Sequence, residues 1–314
     1  EGRPIAGEEG ESVLDALLRA GESVDHGCKA GACQSCLLRS AEGTAPSDST
    51  KTLDESIAAL GGFLSCRAKA GSVPRVERLD PGSVPTHAAR IGAIERLTSE
   101  ILRIVLETEI AARPGQFIRC VSPQGVSRCY SVAKSESGSL DLHVRLIPGG
   151  QMSDLLSRAK GGDEFTLQGP FGRCYYRTEN RSRPMLLIAS STGLAPLYGV
   201  MHEALARGHE GRIALYHGAA TSDGLYLREE LEGYSGSHAN LTYVACADQP
   251  TRPGDRQGSP LDLALQDLGD LEGYVVYLCG HPAMVRASQK RCFLAGADLQ
   301  DLFTDPFENQ IAAP

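Results

Sequence analysis

The sequence lacks any long hydrophobic run. None of its 314 residues lies in an apolar segment close to the ~20 residues that a membrane-spanning helix needs. The two most apolar segments, residues 185–189 and 274–279, have the length of buried strands. The opening residues, EGRPI, contain no hydrophobic signal segment either. These absences predict a cytoplasmic protein that acts away from membranes.

Basic residues are in deficit. The chain has 31 lysine and arginine residues against 39 aspartate and glutamate residues, a formal net charge of −8 at pH 7. This balance argues against nucleic acid or an anionic membrane surface as a partner and is compatible with docking on a basic patch of another protein. Internal repeats are absent as well. Because a single core stops growing near ~250 residues, we expect two or three domains.

Composition changes divide the chain into three segments. The run DPGSVPT at residues 80–86 is typical of a linker, and a second boundary falls near residues 180–184. We therefore predict domains at residues 1–84, 85–181 and 182–314. The first is small and rich in loops, with helices predicted at residues 12–18 and 53–60 and a closing strand at residues 73–79.

The second and third segments differ in rhythm. The second alternates strand-like runs with glycine and proline turns, which predicts a β-barrel. Its predicted strands are residues 101–106, 116–121, 140–146 and 164–168, with a helix at residues 152–159. The third predicts strands at residues 185–189, 213–217, 241–246 and 274–278 alternating with helices at residues 197–206, 225–231 and 261–268. This alternation implies a parallel, doubly wound sheet, which binds ligands at the carboxyl ends of its strands.

The cysteines cluster near the start of the chain. In HGCKAGACQSC, residues 26–36, Cys28, Cys33 and Cys36 are spaced C-x4-C-x2-C, and Cys66 follows after a helix. Clustered thiols in a cytoplasmic protein favour metal or cluster binding over a disulfide framework. The spacing is that of plant-type 2Fe-2S sites. A structural zinc site is the alternative, although zinc loops usually use paired C-x2-C motifs.

On these motifs, residues 1–80 resemble a plant-type ferredoxin domain. The resemblance implies an α+β, β-grasp fold in which all four cysteines are ligands of a 2Fe-2S cluster. Gln34 departs from the pattern, since relatives commonly have glycine there. The departure affects the expected conformation of the loop and one hydrogen bond to the cluster, not the fold.

The second segment carries three short motifs in order, RCYS, GGQMS and GPFG, which resemble the flavin domain of the ferredoxin–NADP reductase superfamily. The resemblance implies that Arg128 pairs with the FAD phosphates, that Tyr130 stacks on the isoalloxazine ring and that Ser131 hydrogen-bonds near its reactive nitrogen. The residues assigned to the pyrophosphate are Gly149, Gly150, Gln151, Met152 and Ser153. The alternative is a plain barrel with Tyr130 in the core and Arg128 on the surface.

The third segment carries two motifs of the same superfamily. STGLAP lies between a predicted strand and helix, where backbone amides suit a dinucleotide pyrophosphate, and LCGHPAM ends a strand. The residues assigned to the nicotinamide nucleotide are Thr192, Gly193, Leu194, Ala195, Pro196, Cys279, Gly280 and Pro282. In the family this cysteine sits beside the nicotinamide, whereas a buried core cysteine is the alternative. The terminal segment resembles one that brings an aromatic residue to the flavin; we favour Phe307 over Phe303.

The preferred dinucleotide depends on the loop after residues 213–217. A 2′-phosphate would need an arginine there, but residues 219–223 offer none and Asp223 would repel it. The loop therefore predicts NADH. Arg228 lies nearby in the sequence and is the one residue that favours NADPH instead. His217 and His281 adjoin the site, where surface or core roles are expected of both.

Together the resemblances predict a multidomain electron-transfer enzyme: a ferredoxin-like domain, an antiparallel flavin barrel and an α/β nicotinamide domain. The chain is similar to the NADH-dependent reductase components of bacterial ring-hydroxylating dioxygenases and diiron monooxygenases. The implied cofactors are the 2Fe-2S cluster, FAD and NADH, and the implied acceptor is a terminal oxygenase or an intermediate ferredoxin. Ser131, Cys279 and Phe307 are the expected catalytic residues, and a monomer is expected. The alternatives are a reductase for another acceptor, such as a deoxysugar-synthesis enzyme, and a redox-sensing or relay subunit without independent NADH turnover.

Overall fold

The computed structural model describes residues 2–24, 26, 29, 31, 36–51, 53, 55–79, 86–177 and 180–307. The chain forms two compact units that divide between Thr86 and His87. None of the helices in these ranges is long and apolar enough to cross a membrane.

The first unit is a small α+β domain. Its elements are α1 (Val13–Arg19), β1 (Leu37–Ser40), α2 (Glu55–Ala59), β2 (Gly62–Leu64) and β3 (Val76–Glu77). The three strands form an antiparallel sheet in the order β2-β1-β3. Helix α1 begins after Ser12, whose hydroxyl oxygen accepts a hydrogen bond from the Asp15 N–H at 3.1 Å. The helices predicted at residues 12–18 and 53–60 are confirmed, and the second is shorter than expected.

The second unit begins with a closed barrel. Its strands are β4 (Thr86–Arg96), β5 (Ile101–Thr108), β6 (Phe117–Val121), β7 (Ser127–Glu136), β8 (Ser139–Arg145) and β9 (Glu164–Phe171), and its helix is α3 (Gln151–Arg158). The strands close in the order β4-β5-β8-β7-β6-β9, and neighbouring strands are antiparallel where their registers are given. The predicted barrel is confirmed. The sequence prediction missed β4, in which most residues are exposed, and β7, in which most residues are polar.

The barrel is followed by a parallel sheet. Its elements are β10 (Met185–Ser190), α4 (Leu194–Ala206), β11 (Ile213–Thr221), α5 (Arg228–Ser237), β12 (Leu241–Gln249), β13 (Arg256–Gln257), α6 (Pro260–Leu268), β14 (Val275–Gly280), α7 (Pro282–Leu294) and β15 (Leu302–Pro306). The strand order is β13-β12-β11-β10-β14-β15, so the direction of strand addition reverses at β10. The predicted parallel sheet is confirmed. The helix predicted at residues 225–231 is wrong at its start, because Leu227 adopts a left-handed backbone with φ of 55° and α5 begins after it.

Helix α4 joins the sheet to the barrel. Gly199 in this helix lies directly on β7: an added Cβ would stand 2.6 Å from Pro114 Cβ and 2.7 Å from the Ala133 carbonyl oxygen. Only glycine permits this approach. The contact places β7, which carries the RCYS motif, next to the helix that follows the STGLAP motif.

Candidate functional site

Two of the four predicted cluster ligands lie side by side. Cys36 immediately precedes β1, and Cys66 comes two residues after β2 ends. Because Leu37 pairs with Leu64 in the antiparallel ladder, both cysteines lie at the same end of it. The backbone N–H and the hydroxyl of Ser65 both donate to the Cys36 carbonyl oxygen, at 3.1 and 2.9 Å. The fold thus brings together two thiols that are 30 positions apart in the sequence.

Gly31 lies against Arg67, the residue that follows the fourth predicted ligand. Gly31 has φ of +82°, and an added Cβ would lie 2.8 Å from Arg67 Cγ. A side chain at this position would push the loop away from Arg67. The predicted ligands Cys28 and Cys33, and Gln34 between the motif cysteines, lie outside the described residues.

The RCYS motif lies within β7, which follows β6 and the turn after it. The Arg128 guanidinium donates to the Ser127 carbonyl oxygen at 2.6 Å. Tyr130 borders an apolar cavity in the barrel interior, together with Phe165. The other lining residues are Ile104, Leu106, Cys120, Leu142, Val144, Met152 and Leu156. Burial raises the pKa of the Tyr130 phenol far above its usual value, so it stays protonated. Tyr130 is half-buried and packs against the barrel core, and its stacking role stays a prediction.

The GGQMS motif opens α3, as expected. Gly149 has φ of 73°, Gly150 is the residue before the first helical turn, and no side chain caps that turn. The first N–H groups of a helix have no intrahelical partner and attract anions. The Ser153 hydroxyl oxygen accepts from the backbone N–H of Ile147 at 2.8 Å. Met152 is buried in the barrel core, so only its backbone can take part in phosphate binding.

The GPFG motif packs against Phe117 of β6, the strand that pairs with β7. Gly172 has φ of +89°, and an added Cβ would stand 2.9 Å from the Phe117 ring. Phe117 also packs against Phe171, with ring centroids 5.6 Å apart, and pairs with Ser131 across the β6–β7 ladder. These contacts fix the strand position from which Ser131 projects.

The STGLAP motif forms the predicted turn at the carboxyl end of a central strand. Strand β10 ends at Ser190, the turn Ser191–Gly193 follows, and α4 begins at Leu194. The side chains of Leu194 and Ala195 are buried in the domain core. At these two residues a dinucleotide can therefore meet only backbone groups, which is the mode of pyrophosphate binding expected at a helix start.

The two nicotinamide motifs interlock through their glycines. An added Cβ at Gly193 would stand 2.5 Å from the Cys279 carbonyl carbon, and one at Gly280 would stand 2.5 Å from the Ser190 carbonyl oxygen. Gly280 also has φ of +123°, which a side chain would strain. The Ser190 hydroxyl accepts from the His281 N–H at 2.9 Å. The turn after β10 and the end of β14 therefore touch backbone to backbone.

Three polar side chains converge beside this contact: Ser131 and Cys279, which the sequence predicted, and Asp305, which it did not. The Ser131 hydroxyl donates to Asp305 Oδ2 at 2.6 Å, which links the barrel to β15. Asp305 pairs with Cys279 in the parallel β14–β15 register. Cys279 is buried, with its sulfur 3.4 Å from the Cys174 sulfur, and burial followed by this contact raises its pKa well above the usual thiol value. Sequence reasoning missed Asp305, although it lies between Phe303 and Phe307 in the terminal segment that resembles the family.

The structure separates the two candidate aromatic residues. The Phe307 N–H donates to the Gly280 carbonyl oxygen at 2.8 Å, so this residue adjoins the nicotinamide motif. Phe303 stacks on Tyr277 with ring centroids 5.2 Å apart, under the Arg177 guanidinium. Phe303 therefore packs against Tyr277, while Phe307 adjoins the Gly280 motif and its role at the flavin stays a prediction. Pro282, the first residue of α7, follows directly after the same motif.

Arg228, the residue that argued for NADPH, contacts acceptors of the protein itself. Its Nη1 lies 2.5 Å from the buried Asp255 carboxylate, its Nε donates to Glu232 at 2.7 Å, and Nη2 donates to the Pro253 carbonyl oxygen at 3.1 Å. Three acceptors thus hold the guanidinium, which opposes a role of Arg228 in binding a 2′-phosphate. Sequence proximity alone suggested this role.

The comparisons with known proteins agree with this architecture. Three family models match in order: a 2Fe-2S iron-sulfur cluster binding domain at residues 1–71, an oxidoreductase FAD-binding domain at residues 91–176 and an oxidoreductase NAD-binding domain at residues 187–290. The reductase subunit of an aromatic O-demethylase from an Amycolatopsis species is 32% identical over 309 residues, which cover 92% of this chain and 91% of the relative. The chain belongs to the family of oxygenase-system reductase components.

Other members support the assignment over the full length. The terephthalate 1,2-dioxygenase reductase component 2 of a Comamonas species is 29% identical and covers 95% of this chain and 92% of its own length. The crystal structure of an Amycolatopsis cytochrome P450 reductase superposes with a TM-score of 0.71 at 29% identity, covering 98% and 97% of the two chains. The reductase accordingly transfers electrons from NADH through FAD to a 2Fe-2S cluster.

The Ser131–Asp305 hydrogen bond yields a prediction for this reductase. Replacing Ser131 by alanine should slow NADH-dependent flavin bleaching in stopped-flow experiments by about 10- to 100-fold, the ratio expected from losing one hydrogen bond to a charged group (~1.5–3 kcal/mol). Asp305→Ala should cause a similar loss. Asp305→Asn keeps an acceptor for the hydroxyl and should retain most of the rate. Wild-type rates in all three variants would exclude the pair from the reaction.

Proposed function

We propose that the reductase supplies single electrons to an oxygenase component, directly or through a free ferredoxin. The observation that carries this proposal is the convergence of Ser131, Cys279, Asp305 and Phe307 where the barrel meets the carboxyl edge of the parallel sheet. The full-length relatives add support, since they are reductases of a dioxygenase and of an aromatic O-demethylase.

Each site residue receives a role in this proposal. Arg128 and the start of α3 hold the FAD phosphates, and the turn after β10 holds the nicotinamide nucleotide. Cys279 lies beside the nicotinamide and Phe307 approaches the flavin. Ser131, whose hydroxyl proton is directed to Asp305, offers its oxygen as a hydrogen-bond acceptor near the reactive nitrogen of the flavin. Flavin, when bound, accepts an electron pair from NADH and releases electrons singly. The high pKa of Cys279 keeps it a neutral thiol that shapes the pocket without adding charge.

The cluster end of the path lies in the first unit. We propose that Cys28, Cys33, Cys36 and Cys66 bind the 2Fe-2S cluster and that residues 29–35 form part of the surface offered to the acceptor. Exposed Lys29, whose Nζ donates to Asp15 at 2.8 Å, belongs to this surface. Thiolate ligation suits iron–sulfur clusters, and the neighbouring Ser65 hydrogen bonds fix the chain between the two described ligands.

The finer sequence predictions complete the proposal. We propose domain limits at residues 1–84, 85–181 and 182–314, and a cytoplasmic monomer that binds neither nucleic acid nor membranes. Cytoplasmic conditions keep the cluster thiols reduced before assembly. The partner is then another protein, and the chemistry performed on the organic substrate belongs to that partner.

The test uses the purified protein. It should be brown-yellow, and NADH should first bleach the flavin and then reduce the cluster in the absence of any partner. A colourless protein with bound zinc would contradict the proposal. A coloured protein without steady NADH oxidation would instead indicate a relay subunit.

Selectivity for NADH gives a further prediction. The Ser222 hydroxyl accepts from the Thr251 N–H at 2.7 Å, which fastens the loop after β12 to the loop after β11 and brings Arg252 to 3.5 Å from Asp223. The wild type should prefer NADH in steady-state kinetics. Asp223→Asn should raise kcat/KM for NADPH about fivefold, the ratio for the ~1 kcal/mol upper range of an exposed charge interaction. Arg228→Gln, the control, should leave the NADPH-to-NADH ratio unchanged.

A further inference from the structure

A buried histidine contacts the turn Ser191–Gly193 that follows β10. His217 lies on β11 with 0% of its surface exposed, and its Nε2 is 3.2 Å from the Ser191 carbonyl oxygen. Because a carbonyl oxygen only accepts hydrogen bonds, Nε2 carries the ring proton and Nδ1 keeps a bare lone pair. That Nδ1 is buried and has no hydrogen-bond partner within the described part of the chain. The ring is thus oriented by its single bond to the turn.

The residue that His217 contacts has an unfavourable backbone. Ser191 has φ of +51°, in the left-handed region that residues with a side chain rarely adopt. Such a conformation persists only when its surroundings hold it, and it is common at ligand sites. The His217 hydrogen bond acts on the carbonyl group of this same residue. It therefore restrains the peptide plane that sets the direction of the turn.

The His217 ring is itself held in place by aromatic contacts. It meets Tyr226 edge-on, with centroids 5.6 Å apart at 89°, and the Tyr226 hydroxyl lies 3.1 Å from His143 Nδ1 on barrel strand β8. Burial lowers the pKa of His217 to about 4 and that of His143 to about 3, so both rings are neutral at pH 7. A buried, uncharged chain of contacts thus connects the turn to the barrel.

We propose that His217 is a positioning residue for the nicotinamide nucleotide. It holds Ser191 in the left-handed conformation that presents the backbone N–H groups at the start of α4, and Tyr226 with His143 fixes the ring in place. The inference rests on the proposed function, because it assigns the dinucleotide to this turn. The inference adds His217 to the site as a residue that acts through Ser191 and contacts neither the nucleotide nor the flavin.

The test measures NAD⁺ binding to the purified, cofactor-loaded protein by isothermal titration calorimetry. His217→Leu should raise the NAD⁺ dissociation constant about tenfold while kcat at saturating NADH stays near the wild-type value, the pattern of lost uniform binding. His217→Gln should retain affinity, because its amide can donate to the Ser191 carbonyl. Adding Ser191→Gly to His217→Leu should recover part of the loss, since glycine adopts the left-handed backbone without strain.

A second buried histidine of the same domain is the matched control. His209, before β11 at the opposite edge of the sheet, bonds the Tyr176 hydroxyl through Nδ1 at 3.0 Å, and its Nε2 is also unpartnered among the described residues. His209→Leu should lower the unfolding temperature and leave the NAD⁺ affinity unchanged. Equal weakening by both leucine variants would overturn the positioning role.

Variants of intermediate size protect the test against misfolding. If His217→Leu does not fold, His217→Asn, whose amide is too short to reach the Ser191 carbonyl, should bind NAD⁺ more weakly than His217→Gln. Equal affinities of the two would overturn the inference. Failure of the wild type to bind NAD⁺ would instead remove the proposed function, and the inference with it.

Discussion

Replacing Cys66 by serine should abolish electron transfer from the protein to cytochrome c while sparing NADH-dependent reduction of a dye that accepts electrons from the flavin. Cys66 lies at the end of the β1–β2 ladder beside Cys36 in the first unit, whereas the residues assigned to FAD and NADH belong to the second unit. A hydroxyl is a poor replacement for a thiolate at an iron–sulfur cluster. We expect cytochrome c reduction to fall by about 100-fold or more, because the one-electron outlet is lost.

A second cysteine provides the control for this experiment. Cys292 is buried in α7 and has no assigned role. Cys292→Ser should retain both activities, although burying a hydroxyl lowers stability. The electron paramagnetic resonance signal of the reduced cluster should disappear only in the Cys66 variant. Loss of dye reduction and cytochrome c reduction to the same extent would show that the cluster does not lie downstream of the flavin.

Gly193→Ala should have the second large effect. The new Cβ would stand 2.5 Å from the Cys279 carbonyl carbon and 2.7 Å from Gly280 Cα, and backbone atoms at both points have little room to retreat. The turn after β10 and the end of β14 would be pushed apart. We expect kcat/KM for NADH to fall about 100-fold, which corresponds to ~2.7 kcal/mol of transition-state stabilisation. Dithionite should still reduce the flavin and the cluster in this variant.

The control for Gly193→Ala is a glycine with open space around it. Gly233 lies in α5, and nothing stands within 4 Å of an added Cβ there. Gly233→Ala should keep full NADH activity and raise the stability of the protein by ~0.5–1 kcal/mol, the difference between alanine and glycine inside a helix. Wild-type kinetics in Gly193→Ala would mean that the two motifs do not need their close contact.

Much of the fold was predictable because strands and helices of the nicotinamide domain are strongly apolar. Residues 185–189 and 274–278 read as buried strands, and both lie in the centre of the parallel sheet. Helix α7 was missed because its sequence, PAMVRASQKRCFL, mixes polar and apolar residues with little periodicity. Its position comes from packing against the sheet and from proline at the first helical turn, which becomes informative only once β14 is placed.

The site was predictable where a motif is contiguous and not where it is assembled from distant segments. Gly193 and Gly280 were recognised in their motifs, but the reason for both, a contact between chain ends of two strands, appears only in the fold. Asp305 is 174 positions from the hydroxyl that it accepts from, so no local pattern joins it to Ser131. Arg228 shows the opposite case. Its closeness in sequence was the contrary sign to the NADH prediction, and only the fold shows that its guanidinium lies against the buried Asp255 carboxylate.

The interlocked glycines also govern how this domain can be recombined with those of its relatives. The turn that follows Ser190 and the segment that follows Cys279 are shaped against each other, although 89 positions separate them in the sequence. A chimera that imports only one of the two segments would pair surfaces that never fitted together. Loop exchange between members of the family should therefore treat residues 190–194 and 279–282 as one transferable part.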